Sequence, residues 1–121
     1  MELKLVQTKE APAAIGPYSQ GVIGGSMLFV SGQLGLDPKT GELVGSDLES
    51  QARQALKNLS EVLTAGGSGM EKVLSVDVFL TDMKTFAQFN KIYEKFFSSH
   101  RPARAVVEVC ALPKAGLVEI K

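Results

Sequence analysis

The sequence predicts an α+β fold, in which a mixed β-sheet carries two helices on one face. Three observations lead there. Two stretches, 48–63 and 86–97, repeat apolar residues at helical spacing. Residues 73–80 and 105–110 alternate with a period of two, as strands do. The segments follow in the order strands, helix, strand, helix, strand, strand, and two helices suffice to cover only one face of such a sheet.

Taken in chain order, residues 3–8 form a short first strand, and 11–20 a loop of small residues and proline. Residues 21–23 and 27–32 pair as a hairpin across Gly24, Gly25 and Ser26. Asp37-Pro38-Lys39-Thr40-Gly41 is a turn, because proline presets φ and glycine accepts a positive one. Ser46-Asp47-Leu48-Glu49 has the spacing of a capping box and opens the first helix. Its buried stripe is Leu48, Ala52, Ala55, Leu56, Leu59, Val62 and Leu63, and Gly66-Gly67 stops it. Asp82 is a candidate cap for the second helix, whose inner face is Phe86, Phe89, Tyr93, Phe96 and Phe97, read as core packing rather than as an aromatic pocket. In the strand between the helices, Leu74, Val76, Val78 and Leu80 make an apolar face; Val73, Ser75, Asp77 and Phe79 make a mixed one. The last long strand sets Ala105, Val107 and Val109 against Val106, Glu108 and Cys110, and 105–109 read as buried. The face without helices is too apolar to stand free and yet carries acids. That combination predicts an oligomer with polar residues near the subunit interfaces.

Bulk composition narrows the chemistry. At 121 residues, 1–121 is expected to be a single domain. Thirteen basic and thirteen acidic residues cancel, so no global attraction to nucleic acid or to an anionic membrane is expected. No apolar run is long enough for a transmembrane helix, and the N-terminus lacks the apolar core of a signal peptide. The single cysteine, Cys110, cannot form an internal disulfide and suits a reducing, cytoplasmic setting. With one His and one Cys, a Cys/His zinc site cannot be assembled within one chain. A Ser-His-Asp triad would have to use His100, which sits in a polar connection after a helix and is equally explained as a helix C-terminal histidine. Gly66-Gly67-Ser68-Gly69 follows a helix, whereas a phosphate cradle precedes one.

The segment around Pro102 delivers Arg104 to the point where a loop becomes a strand. A guanidinium held there can grip a carboxylate through two parallel hydrogen bonds, although a surface ion pair is the commoner explanation of such an arginine. Further segments change that balance: residues 11–20 (Ala-Pro-Ala-Ala-Ile-Gly-Pro-Tyr-Ser-Gln), Val30-Ser31-Gly32-Gln33, the Asp37 turn, Pro102-Ala103-Arg104, Leu112-Pro113-Lys114 and Val118-Glu119-Ile120. In this order and spacing, over essentially the whole chain, the sequence resembles the reactive intermediate deaminase (RidA/YjgF) family. The resemblance implies a fold like that of chorismate mutase of the Bacillus type. It also implies a homotrimer with a barrel-like core of sheets, helices outside and clefts between subunits. The implied activity is hydrolysis of 2-iminobutanoate and 2-iminopropanoate, the imine tautomers of enamines released by pyridoxal-phosphate enzymes, to 2-keto acids and ammonia. No metal or organic cofactor is implied, and neither membrane nor nucleic acid is expected as a partner. Two other readings stand beside it: an endoribonuclease or translation inhibitor, against which the neutral charge and lone histidine weigh, and a non-catalytic, chaperone-like trimer that holds small carboxylates.

By the same resemblance, Arg104 and Glu119 are catalytic. Arg104 holds the substrate carboxylate, and Glu119 orients or deprotonates water or relays a proton to the leaving nitrogen. Tyr18 lines the cleft, Ser31 and Gly32 flank the substrate, and Asn90 reaches it from the second helix. A glycine beside the substrate would let a backbone amide approach its carboxylate closely. Two positions depart from the family pattern. Val106 stands where some members have cysteine, so Cys110 is read as a small buried strand residue. Lys121 follows Ile120 where members continue with an acid and an apolar strand end, so either the sequence is truncated here or the last strand is short, and the sheet near Glu119 is expected to be weakened.

Overall fold

The computed structural model describes residues 1–121. Seven strands and two α-helices run in the expected order: β1 (Leu3–Val6), β2 (Gly21–Gly24), β3 (Met27–Val30), β4 (Gln33–Leu34), α1 (Leu48–Ala65), β5 (Ser75–Leu80), α2 (Phe86–Phe96), β6 (Ala103–Glu108) and β7 (Val118–Ile120). Hydrogen bonding divides the strands into two sheets. One is antiparallel, in the order β1-β2-β3; the other is mixed, in the order β4-β7-β5-β6, with β5 and β6 parallel. α1 packs on strands of both sheets, β3 as well as β4 and β7, and so joins them.

The division falls at Ser31-Gly32. Leu28 and Val30 pack toward the core, and Gln33 pairs with the core residue Ile120. Between Val30 and Gln33 the spacing is odd, so one extra residue is inserted, as in a β-bulge. The strand expected over 27–32 therefore ends early, and the bulge lies beside Glu119.

The core forms where the two helical stripes meet the inner face of the second sheet. All seven expected α1 residues are buried: six pack with Val76, Val78, Leu80, Val118 and Ile120, and Val62 packs with Val6 and Ala11. On α2, Phe89 and Tyr93 are buried, as is Phe97 just beyond it; Phe96 is half-buried and Phe86 exposed. Leu74, which precedes β5, is also exposed.

Three local expectations need correction. The cap of α1 is Asp47, not Ser46: its carboxylate accepts from the Ser50 amide (2.9 Å) and from the Ser50 hydroxyl (2.6 Å). An anionic carboxylate that takes one bond on each oxygen is the better acceptor, and these bonds hold the Asp47 carboxyl below its ordinary pKa. Asp82 caps only a 3₁₀ turn, Met83–Thr85, before α2 begins. Finally, 105–109 are not buried within the chain. β6 is an edge strand with only β5 beside it, and Cys110 lies exposed past its end.

The face turned away from the helices carries Leu3, Leu5, Met27 and Phe29 on the first sheet and Val107 on the second, all exposed. Phe29 is 62% and Leu5 72% exposed, an apolar surface of the kind that another subunit covers.

Candidate functional site

A cleft of about 440 Å³ opens beside the bulge. Four of the singled-out residues, Tyr18, Ser31, Gly32 and Glu119, line it together with Ile15, Leu36 and Lys114. Tyr18 enters on the 11–20 loop, which the buried Gln20 side chain ties down. Its amide nitrogen donates to the carbonyls of Thr8, Ala11 and Pro12, and its oxygen accepts from the Thr8 amide. Gly16, at φ 119°, makes the turn before Tyr18, and the Tyr18 amide donates back to the Gly16 carbonyl. The ring stands 53% exposed at the rim.

Ser31 and Gly32 offer different groups. The Ser31 hydroxyl donates to the Ser19 carbonyl and its amide to the Gln20 carbonyl, so both of its protons are engaged. The Gly32 N–H meets no acceptor within the chain and is free to bind an anion. Glu119 lies directly against Gly32. A β-carbon on Gly32 would sit 2.9 Å from the Glu119 carboxyl carbon. Glycine here serves close approach rather than an unusual φ. The Gly32→Ala variant should keep its fold, because a flexible side-chain end can yield, but lose activity roughly 10-fold or more as the carboxylate is displaced. Matching urea midpoints with unequal kcat would bear this out.

Burial pushes the Glu119 carboxyl above its ordinary pKa, and the nearby Lys121 ammonium partly opposes the shift. As a general base Glu119 would act in its carboxylate form, and the acid limb of kcat/KM would then lie higher than for an exposed glutamate. Neutralising the cation in Lys121→Met removes the opposing influence and should move that limb to still higher pH. A limb that moved down instead would exclude Glu119 as the group responsible.

Arg104 and Asn90 lie elsewhere. Arg104 pairs with Val76 and shares its helix-facing side. Its guanidinium carbon stands 4.7 Å from the centre of the Tyr93 ring and 5.8 Å from that of Phe86. It forms no ion pair within the chain, so the surface ion-pair explanation fails. Asn90 occupies the same α2 stripe as Phe86 and Tyr93. The Asn90 Oδ1 and the Tyr93 hydroxyl are buried without a hydrogen-bond partner. Burial raises the Tyr93 pKa, against the pull of Arg104. The chain thus presents two groups of polar residues, one around Glu119 and one around Arg104.

Sequence reasoning missed Lys114 as a cleft residue, although it had marked Leu112-Pro113-Lys114. Lys114 and Ala115 both hold positive φ (58° and 56°), a strained pair for residues other than glycine. His100 is structural: its Nε2 donates to the Val73 carbonyl at 2.6 Å. No group of three or more His, Cys, Asp or Glu side chains is arranged to hold a metal ion, and no helix is long and apolar enough to cross a membrane.

The family model for endoribonuclease L-PSP matches residues 8–121. The chain belongs to the endoribonuclease L-PSP family. Its relatives carry differing names. A 2-iminobutanoate/2-iminopropanoate deaminase of Bos taurus is 46% identical over 98% of this chain and 86% of its own. A RutC family protein of Pyrococcus horikoshii is 45% identical over 98% of this chain and 94% of its own. Among solved structures, E. coli TdcF with bound serine superposes with a TM-score of 0.92 at 42% identity, covering 97% of this chain and 94% of TdcF. The α+β arrangement expected from the sequence is therefore the arrangement of the endoribonuclease L-PSP family.

Proposed function

We propose that the protein hydrolyses small 2-imino acids to 2-keto acids and ammonia as a homotrimer. In this reading each site joins the Glu119 cleft of one subunit to Arg104 and Asn90 of its neighbour. The observation that carries it is the placement of Glu119: a half-buried carboxylate with raised proton affinity, fixed beside the free Gly32 amide in a cleft sized for a small molecule. The deaminase name of a close relative supports the reaction. The exposed apolar sheet face and the unpartnered Asn90 and Tyr93 atoms support a neighbouring subunit.

Arg104, joined by the Gly32 amide, holds the substrate carboxylate. Glu119 takes a proton from water as the water oxygen adds to the carbon of the protonated imine, and then gives that proton to the amine nitrogen of the carbinolamine. The carbinolamine collapses: the carbon–nitrogen bond breaks, ammonia leaves, and the carbonyl forms as the hydroxyl proton passes to Glu119 and from it to solvent. Tyr18 closes the rim. No covalent bond to the protein is required, since a protonated imine is already electrophilic.

The test couples the protein to a pyridoxal-phosphate threonine dehydratase and follows 2-ketobutyrate while semicarbazide competes for the imine. Faster keto-acid release with less semicarbazone is expected. An unchanged partition would overturn the reading. The ribonuclease reading gains no support from the structure: the net charge is zero and the only histidine is bound to a backbone carbonyl.

A further inference from the structure

The Arg104 guanidinium forms no ion pair within the chain. It lies instead over two rings of α2, that of Tyr93 at 4.7 Å and that of Phe86 at 5.8 Å. Positions 86 and 93 are two turns apart on one face of the helix. The two rings differ in their surroundings. Tyr93 is buried and wedged between Phe89 and Phe97, with ring centres 5.6 and 4.7 Å away. A ring packed in this way keeps one orientation and presents a fixed face. Phe86 is exposed and lies outside the core, so burial does not account for its place on the stripe.

We infer that Tyr93, assisted by Phe86, is a positioning residue: its ring sets the plane of the Arg104 guanidinium, so that the N–H fork meets the substrate carboxylate already oriented. The inference rests on the imine-hydrolysis reading for the identity of that carboxylate. An aromatic face attracts a cation through its quadrupole and offers the donors no lone pair. A carboxylate side chain in the same place would engage the donors themselves, and the substrate would have to displace it. The rings thus hold the arginine and leave free the group it binds with. Arginine has a long side chain with many rotamers, and β6 is an edge strand. Ordering the side chain before the substrate arrives removes that entropic cost from binding. The outer end of the α2 aromatic stripe therefore serves Arg104 as well as the core.

The chain has three arginines, Arg53, Arg101 and Arg104, so their side-chain Nε–H signals can be told apart by NMR. In the full chain without substrate, Arg104 is expected to show a high Nε–H order parameter and the exposed Arg101 a low one. Tyr93→Phe keeps the ring; it should keep the order parameter and a KM within about twofold of wild type. Tyr93→Leu should loosen the Arg104 signal and raise KM about 10-fold with kcat within about threefold, since a carboxylate grip serves ground and transition states alike. In an Arg104→Ala background the same substitution should cost nothing further, because it acts through the arginine. Phe86→Ala, at an exposed position, covers the case in which Tyr93→Leu fails to fold; it should loosen the same signal and raise KM about threefold. Three results would overturn the inference: a wild-type Arg104 signal as mobile as that of Arg101, equal impairment of Tyr93→Phe and Tyr93→Leu, or additive losses in the double variant. A wild type without imine turnover would instead refute the proposed reaction, and the Nε–H dynamics would still decide whether the rings fix the guanidinium.

Discussion

Arg104→Ala is expected to lower kcat/KM for imine hydrolysis by about 10²- to 10⁴-fold while the fold and the assembly persist. The estimate follows from two charge-assisted hydrogen bonds to the substrate carboxylate at about 1.5–3 kcal/mol each. Arg104 lies on an exposed edge strand, and its only close partners are the faces of Tyr93 and Phe86, so its removal leaves no buried charge behind. Arg104→Lys should recover little, since an ammonium keeps the charge but not the planar fork. Coupled-assay kinetics and light scattering on the same samples check both halves of the expectation. Wild-type kinetics in the alanine variant would remove Arg104 from the site.

Mixing two dead variants should restore activity. Glu119→Gln removes the base and should cost about 10²- to 10⁴-fold by itself. When Arg104→Ala and Glu119→Gln chains are co-assembled in equal amounts, a working site arises wherever a subunit with an intact arginine abuts one with an intact glutamate. Random assembly places such a pair at about one site in four, so about a quarter of wild-type activity should return. This result separates the two arrangements of the site sharply. If both residues served one cleft within a single chain, every site in the mixture would lack one of them and nothing would return.

Much of the fold was legible in the sequence because burial imposes periodicity. The α1 stripe is buried at every expected position, and Val76, Val78 and Leu80 face the core as their alternation requires. The same α1 surface also buries Gln51 and Asn58, which no apolar pattern reveals. They are satisfied by backbone groups outside the helix. Gln51 bonds the Gly45 carbonyl and the Leu117 amide; Asn58 bonds the Leu34 and Leu36 carbonyls. The bulge was illegible too, since it depends on how β7 pairs with β4. The 105–109 stretch misled because its β-branched residues read as buried whether the cover comes from the same chain or from another. The Glu119 cleft was reached through resemblance, as composition alone would have left Glu119 an exposed strand residue. Nothing in the sequence indicated that Arg104 and Glu119 would belong to separate groups in one chain. That separation is a property of the assembled topology.

The commitment of the Ser31 hydroxyl to the Ser19 carbonyl has a kinetic meaning. A serine whose proton is held by a carbonyl oxygen has no base to take it and is a poor nucleophile. Product should therefore appear linearly from the first turnover, with no pre-steady-state burst. Fluorophosphonates and other reagents that acylate or phosphorylate active serines should leave the rate unchanged.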